Sequence, residues 1–392
     1  MKKFKWLVGA ALAAALVAGC GGGGGVATDN KVGLSNLVSF GDSLSDAGTY
    51  AVGTVAALGG GRYTVNTGTT PFARIWVDLI SAQLGFPAPC AAVKGLDGLA
   101  AQGFSVPATN QAACTNYAQG GSRVTNPIGP GNKNIPASAA LGQLTYPVAT
   151  QIADHLGRNS GAFDPKSLVT VMAGGNDVFM QGAVASAAAA IDPASSATIT
   201  NFQTVATFFG GWTTAQVNAV LGGGGLTAVQ NGLLANMAKA GTELAALVNT
   251  QIIGKGAKNV VVVNLPNVGA TPSGVENGPQ AAALSTAMAQ AFNQALAAGL
   301  AGSGAILVDA YTTSTDQFNN PSAYGLSNVT ARSCKKDASN ALGGTALVCN
   351  PSNVIAGDIS RYGFADDVHP SVYGHQLLAQ LVAKYMAVAG LL

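Results

Sequence analysis

The chain runs to 392 residues, 48% of them apolar, 9% charged and 52 of them glycine; it is too apolar to stay disordered and long enough to bury a large core. Its formal net charge of +2, with nineteen scattered Lys and Arg, supplies no basic stripe for nucleic acid. Length alone allows one large domain or two ordinary ones.

Lys2, Lys3 and Lys5 form a basic head, and Trp6 to Val17 is an apolar stretch too short to span a bilayer comfortably. Small residues and Cys20 follow, so residues 1–19 read as a signal peptide and not as a transmembrane helix. Leu16-Val17-Ala18-Gly19-Cys20 resembles a bacterial lipobox. That resemblance implies cleavage before Cys20 and lipidation of its thiol; an ordinary signal peptide with an incidental cysteine is the alternative. Gly and not Asp at position 21 favours the outer membrane, by the same resemblance to bacterial sorting signals. Gly21 to Gly25 cannot pack a side chain, so residues 20–32 are expected to be a flexible tether.

Beyond the tether, residues 33–392 are expected to fold as one domain. Leu37-Val38-Ser39-Phe40 is a short apolar run ending at Gly41-Asp42-Ser43, which reads as a buried strand entering a turn. Ser167 to Met172, Asn259 to Val263 and Ala305 to Val308 are three more such runs. Continuously apolar strands suggest a parallel sheet covered on both faces. Pro-free, Ala-rich stretches at Leu233 to Ile253 and Gln280 to Leu300, and a closing stretch at Val372 to Ala389, predict helices. The alternation predicts an α/β doubly wound fold. Ala183 to Gly225 reads as an insertion, part helix and part loop; its Phe208, Phe209 and Trp212 form either a hydrophobic acyl wall or an anchor to the core. Its glycine run, Gly222 to Gly225, lacks the Gly-Lys-Ser/Thr ending of a phosphate loop.

Setting Cys20 aside leaves Cys90, Cys114, Cys334 and Cys349, for which three pairings exist. Sequence proximity favours Cys90–Cys114 and Cys334–Cys349, and such bridges persist in oxidising compartments. A metal site is the alternative; against it, there is no Cys-x-x-Cys spacing and no His close to either pair.

Ser43 lies just past the first strand, at the sheet edge where open α/β folds bind ligands. Alone it reads equally as a helix cap. A serine nucleophile needs a base, and the base an orienting group. Only three histidines are available. His155 sits mid-helix as a surface or packing residue, and His375 lies inside the last helix. His369 lies on a loop between Asp366-Asp367-Val368 and Pro370, where Asp366 can fold back to its imidazole within one turn.

Phe40 to Gly48, containing Gly41-Asp42-Ser43-Leu44, resembles the first block of the GDSL or SGNH hydrolase family, and Asp366-Asp367-Val368-His369-Pro370 its last. Asn116-Tyr117-Ala118-Gln119-Gly120-Gly121-Ser122 and Gly174-Gly175-Asn176-Asp177 resemble its two middle blocks, and all four occur in family order. The resemblance implies a flavodoxin-like three-layer α/β/α fold with a parallel central sheet. It implies Ser43 as nucleophile, His369 as base and Asp366 as its orienting acid, with Asp367 the rival for that place. Oxyanion donors would be Ser43 N–H, a glycine N–H (Gly121 in preference to Gly120) and the Asn176 amide. Asp42 and Asp46 would brace the Ser43 turn, and Asp177 would brace Asn176.

The implied activity is carboxylic ester hydrolysis of the secreted esterase and lipase kind, without metal or organic cofactor. A phospholipase A or lysophospholipase, an acyltransferase, and an inactive surface binding protein are the competing readings. The chain stops one helix after His369, so no C-terminal membrane β-barrel of the kind some secreted relatives carry is expected. Attachment to the membrane would come from Cys20, with a small-molecule or lipid ester as the other partner.

Overall fold

The computed structural model describes residues 32–67 and 74–392. The expected signal peptide, Cys20 and nearly all of the expected tether therefore lie outside the described residues. In chain order the strands are β1 (Asn36–Gly41), β2 (Val93–Asp97), β3 (Ser105–Asn110), β4 (Ser167–Met172), β5 (Asn259–Val263), β6 (Ile306–Val308), β7 (Asn328–Arg332) and β8 (Tyr362–Phe364). β1, β4, β5 and β6 form the central sheet in that spatial order, with every pairing parallel. β2–β3 and β7–β8 are separate two-stranded pairs.

Alternation along each central strand divides its side chains between two cores. Val38, Phe40, Val169, Val171, Val260 and Val262 face one layer. There they meet Leu233, Met237 and Leu244 of the helix Gly225–Leu247, and Phe292 and Leu296 of the helix Pro279–Leu300. Leu37, Leu168, Met172, Val261, Val263 and Val308 face the other. That layer holds Trp76 and Ile80 of the helix Trp76–Gln83, and Val382 and Met386 of the helix Val372–Val388. Both faces of the sheet are covered, so its strands are largely apolar, with Ser39 and Thr170 buried and hydrogen-bonded to each other at 2.8 Å, and the fold is three-layer α/β/α with a parallel central sheet.

Two segments depart from expectation. The helix expected from Leu233 starts at Gly225 and passes at Leu247 into a π-helical turn, Val248–Ile252. The Ala183–Gly225 segment is more helical than its composition suggests, with helices Gly175–Ala189, Ser196–Thr204 and Thr214–Ala219. Phe202 and Trp212 pack edge to face and are buried against the first core. Trp212 Nε1 donates to Gln181 Oε1 at 2.7 Å, so this aromatic is an anchor, while Phe208 is exposed.

Both expected disulfides are present, Cys90–Cys114 and Cys334–Cys349. The first sits beside β1, where Cys90 O accepts from Asn116 N–H. The second closes a loop of 15 residues' separation against the segment that carries Asp366.

Candidate active site

The C-terminal ends of the central strands deliver the site. β1 ends at Gly41, whose φ of +148° and close approach to β4 leave no room for a side chain: a Cβ there would sit 2.0 Å from Met172 O. The chain then turns, with Asp42 N–H donating to Met172 O at 3.2 Å and Ser45 N–H to Asp42 O at 3.1 Å. No helix begins at Ser43, so the capping alternative is set aside; the first helix spans Gly53–Ala57.

Carboxylates hold this turn from within. Asp42 Oδ1 accepts from Leu44 N–H at 3.1 Å. Asp46 accepts from Gly48, Thr49 and Gly120 N–H at 2.9, 2.7 and 2.9 Å. Burial drives both carboxyls upward, and Asp42 reaches about 7. Behind the turn, Asn116 Nδ2 donates to Ser45 O at 2.8 Å, and Trp76 Nε1 to Ser45 Oγ at 3.2 Å.

His369 and Asp366 arrive from the far end of the chain, 326 residues from Ser43 in the case of His369. His369 Nε2 lies 2.8 Å from Ser43 Oγ. Its Nδ1 lies 2.9 and 2.8 Å from Asp366 Oδ1 and Oδ2. Asp366 also accepts backbone N–H groups from Val368 (3.0 Å), His369 (2.8 Å) and Ala346 (2.7 Å). Burial alone would push the Asp366 carboxyl up; the His369 imidazole and these donors outweigh it and hold it below the usual carboxylate range. Asp367 faces the other way, ion-paired to Arg332 at 2.7 Å and Lys336 at 3.0 Å. The fold therefore places Asp366, and not Asp367, on the imidazole.

Asn176 stands at the start of the helix Gly175–Ala189, directly after β4. It lines the same pocket as Ser43 and His369, a space of about 40 Å³. One of its amide N–H groups donates to Ser122 O at 2.8 Å, which leaves the second. Gly120 N–H is occupied by Asp46. Gly121 has a φ of +80°, and a Cβ there would meet Thr145 Cγ2 at 2.7 Å. Among the described residues, neither Gly121 N–H nor Ser43 N–H has an acceptor.

Asp177 does not brace Asn176 directly. Its Oδ1 accepts from Arg123 Nε at 2.8 Å and its Oδ2 from Val124 N–H at 3.2 Å. Both side chains are buried. The pair ties the segment after Gly121 and Ser122 to the helix that carries Asn176. Three supporting groups escaped the sequence reading. Gln151 clasps Gly41, accepting from its N–H and donating to its O. The Tyr63 ring lies 4.7 Å from the His369 ring. Ala346 acts through its backbone. A backbone donor such as Ala346 leaves no side-chain signal in the sequence.

The remaining histidines take no part. His155 packs 4.3 Å from the Phe163 ring, and burial lowers it to about 4. His375 is wholly buried, which lowers it to about 3. Phe208, Phe209 and Trp212 do not line the Ser43 pocket. Among the described residues no group of three or more His, Cys, Asp or Glu is placed to hold a metal ion.

Comparison with solved structures finds low-identity likenesses over most of the chain. Phospholipase A1 from Streptomyces albidoflavus is 12% identical, with a TM-score of 0.40 over 90% of this chain and 99% of that one. The extracellular lipase from Streptomyces rimosus is 12% identical, with a TM-score of 0.39 over 90% and 99%. Acetylxylan esterase Axe2 from Geobacillus stearothermophilus is 12% identical, with a TM-score of 0.36 over 91% and 96%. No curated protein sequence matches the chain. The model of the GDSL-like lipase/acylhydrolase family matches residues 37–209 and 224–382, a span that takes in Ser43, Gly121, Asn176, Asp366 and His369, and the chain belongs to that family.

Proposed function

We propose that the protein hydrolyses carboxylic esters through a Ser43–His369–Asp366 triad. The observation that carries this reading is the continuous chain from Ser43 Oγ to His369 Nε2 and from Nδ1 to Asp366. In the proposed reaction Ser43 Oγ attacks the ester carbonyl carbon while His369 Nε2 takes its proton. Asp366 fixes the tautomer and stabilises the imidazolium. Negative charge on the carbonyl oxygen is met by Ser43 N–H, Gly121 N–H and the second Asn176 amide hydrogen; such donors are typically worth roughly 10²–10³ in kcat each. Collapse expels the alcohol, which takes the proton from His369. Water, deprotonated by the same imidazole, then cleaves the acyl-Ser43 ester and releases the acid.

A fluorophosphonate probe and p-nitrophenyl acetate test the reading together. Wild-type protein is expected to label at Ser43, and Ser43→Ala to lose label and roughly 10³-fold or more of its turnover. Near-normal turnover in Ser43→Ala would overturn the assignment.

We propose also that Cys20 is lipidated and anchors the protein to the outer membrane, on the strength of the lipobox resemblance. The protein is expected in the membrane fraction and Cys20→Ser in the soluble one, or unprocessed. Wholly soluble wild-type protein after fractionation would remove the anchor.

A further inference from the structure

Tyr63 is buried between the proposed base and the proposed glycine oxyanion donor. Its ring centroid is 4.7 Å from that of His369, with the two planes 36° apart. Its hydroxyl end lies against Gly120, where a Cβ would sit 2.0 Å from Tyr63 Oη. We propose that Tyr63 is a positioning residue of the reaction: its ring supports the His369 imidazole as it takes up charge, and its hydroxyl end fixes the Gly120–Gly121 turn. The inference rests on the serine-hydrolase reading and deepens it.

The contact explains why two glycines stand in a row. Gly121 needs to be glycine for its φ of +80°. Gly120 has no positive φ; the Tyr63 phenol is what excludes a side chain there. Gln143 Nε2 donates to Tyr63 Oη, and Gln143 Oε1 would lie 3.2 Å from a Cβ on Gly121. Tyr63 and Gln143 thus border both glycines. Tyr50 Oη donates to Gly120 O at 2.7 Å, and Asp46 accepts from Gly120 N–H at 2.9 Å, so the turn is held from several sides.

Tyr63 is itself firmly mounted. Arg62, beside it, is ion-paired to Asp78. Asn66 Nδ2 donates to Arg62 O at 2.9 Å and to Thr64 O and Ala346 O at 3.1 Å. Ala346 N–H in turn donates to Asp366, so the segment carrying Tyr63 and the acid share one support. Burial pushes the phenol well above the usual tyrosine range, which keeps it neutral. A neutral tyrosine face within about 6 Å of a cation attracts it. That attraction is absent while the imidazole is neutral and arises when His369 takes the Ser43 proton. It therefore favours the transition state over the ground state, which packing alone does not do.

The test is the pH dependence of kcat and kcat/KM for p-nitrophenyl acetate, on the full-length protein and on Tyr63→Phe, Tyr63→Leu and Tyr63→Met. Asp366, Asp42 and His375, the other titratable groups that act on His369, are the same in all four proteins, so differences in the acid limb report on position 63. Tyr63→Phe keeps the ring and loses the hydroxyl. Its kcat is expected to fall roughly tenfold, short of the roughly 10²–10³ of a donor lost outright, with the acid limb in place. Tyr63→Leu and Tyr63→Met take the ring from the protonated imidazole. Their acid limb is expected to move to lower pH by about half a unit to one unit, with kcat below that of Tyr63→Phe. Leu and Met fill the space differently, so collapse of one fold leaves the other to be read. An acid limb that stays put or moves to higher pH in the ringless variants would overturn the part given to the ring. A wild-type kcat in Tyr63→Phe would overturn the part given to the hydroxyl. Both results leave the hydrolase reading standing; failure of wild-type protein to cleave any ester would overturn that reading and this one together.

Discussion

Ala346 N–H donates to Asp366 Oδ2 at 2.7 Å, in a buried contact between a disulfide-closed loop and the acid of the Ser43–His369–Asp366 chain. Ala346 lies three residues before Cys349, whose N–H donates back to Ala346 O at 3.1 Å. Asn66 Nδ2 bonds both Ala346 O and Cys349 O at 3.1 Å. Cys334 N–H in turn donates to Ala365 O at 2.8 Å, next to Asp366. The Cys334–Cys349 bridge thus holds one of the backbone donors that orient the carboxylate.

Removing the two disulfides is expected to have unequal catalytic effects. Each closes a loop, of separation 24 for Cys90–Cys114 and 15 for Cys334–Cys349, and loss of either is expected to cost about 3 kcal/mol of stability. Cys334→Ala with Cys349→Ala is expected also to lower kcat about tenfold with little change in KM, because Asp366 loses an orienting donor. Cys90→Ala with Cys114→Ala leaves that donor in place. Equal kcat values for the two double variants at a temperature where both are folded would show that the Ala346 contact is catalytically idle.

Asp366 and Asp367 are expected to separate cleanly. Asp366→Asn keeps the size of the side chain but removes the charge facing the imidazole, and kcat is expected to fall roughly 10³–10⁴-fold. Asp367→Asn removes partly exposed ion pairs to Arg332 and Lys336, of a kind worth about 1 kcal/mol or less where exposed, and kcat is expected to stay near wild type. Steady-state kinetics on the two variants decides; a crippled Asp367→Asn beside an active Asp366→Asn would reverse the assignment.

What the sequence disclosed follows from which contacts are carried by side chains. The runs Ser167 to Met172 and Asn259 to Val263 match their strands residue for residue, because a strand buried on both faces stands out as a nearly continuous apolar run. The helix before β5 was harder to read: Gly222 to Gly225 looks like a linker, yet Gly223 and Gly225, at φ +95° and +54°, only kink the chain, and helix resumes at once. The β2–β3 pair escaped because β3 is largely exposed and contains Pro107, so it has neither alternation nor an apolar run. At the site, Ser43, Asn176, Asp366 and His369 were legible as side chains in family blocks. Gly121 is distinguished from Gly120 on physical grounds only in the fold, where Asp46 occupies the Gly120 N–H. Asp177's partner is Arg123, 54 positions away, a pairing that only the fold creates.

That buried pair carries the next expectation. Arg123 and Asp177 side chains are each 5% exposed, and Arg123 also donates to Phe209 O at 2.5 Å. Asp177→Ala strands a buried guanidinium and is expected to cost about 3–5 kcal/mol in denaturant unfolding. Adding Arg123→Met to Asp177→Leu removes both charges and is expected to recover much of that loss. If the double variant were no more stable than Asp177→Ala, the charge left unpaired would not be the source of the penalty.

Asp42 ties stability to pH beside the proposed nucleophile. Its carboxyl is wholly buried, and burial is the largest influence on it, raising it from 3.8 to about 7 against the opposing Leu44 N–H and the His369 charge. The native state therefore holds this proton more tightly than the unfolded chain does. The associated stability is fully present below about pH 4 and is lost as pH rises through about 7, because ionising Asp42 in the fold requires charging a buried group. Across that window the loss is of the order of a few kcal/mol. Asp42→Asn retains an Oδ1 acceptor for Leu44 N–H, bonded at 3.1 Å in the wild type, and cannot ionise. The variant is expected to be more stable relative to wild type at pH 8 than at pH 5, with the difference growing between those values. Urea unfolding of both proteins across that range measures it; a constant difference between the two curves would mean that Asp42 ionises in the native state as readily as it does in the unfolded chain.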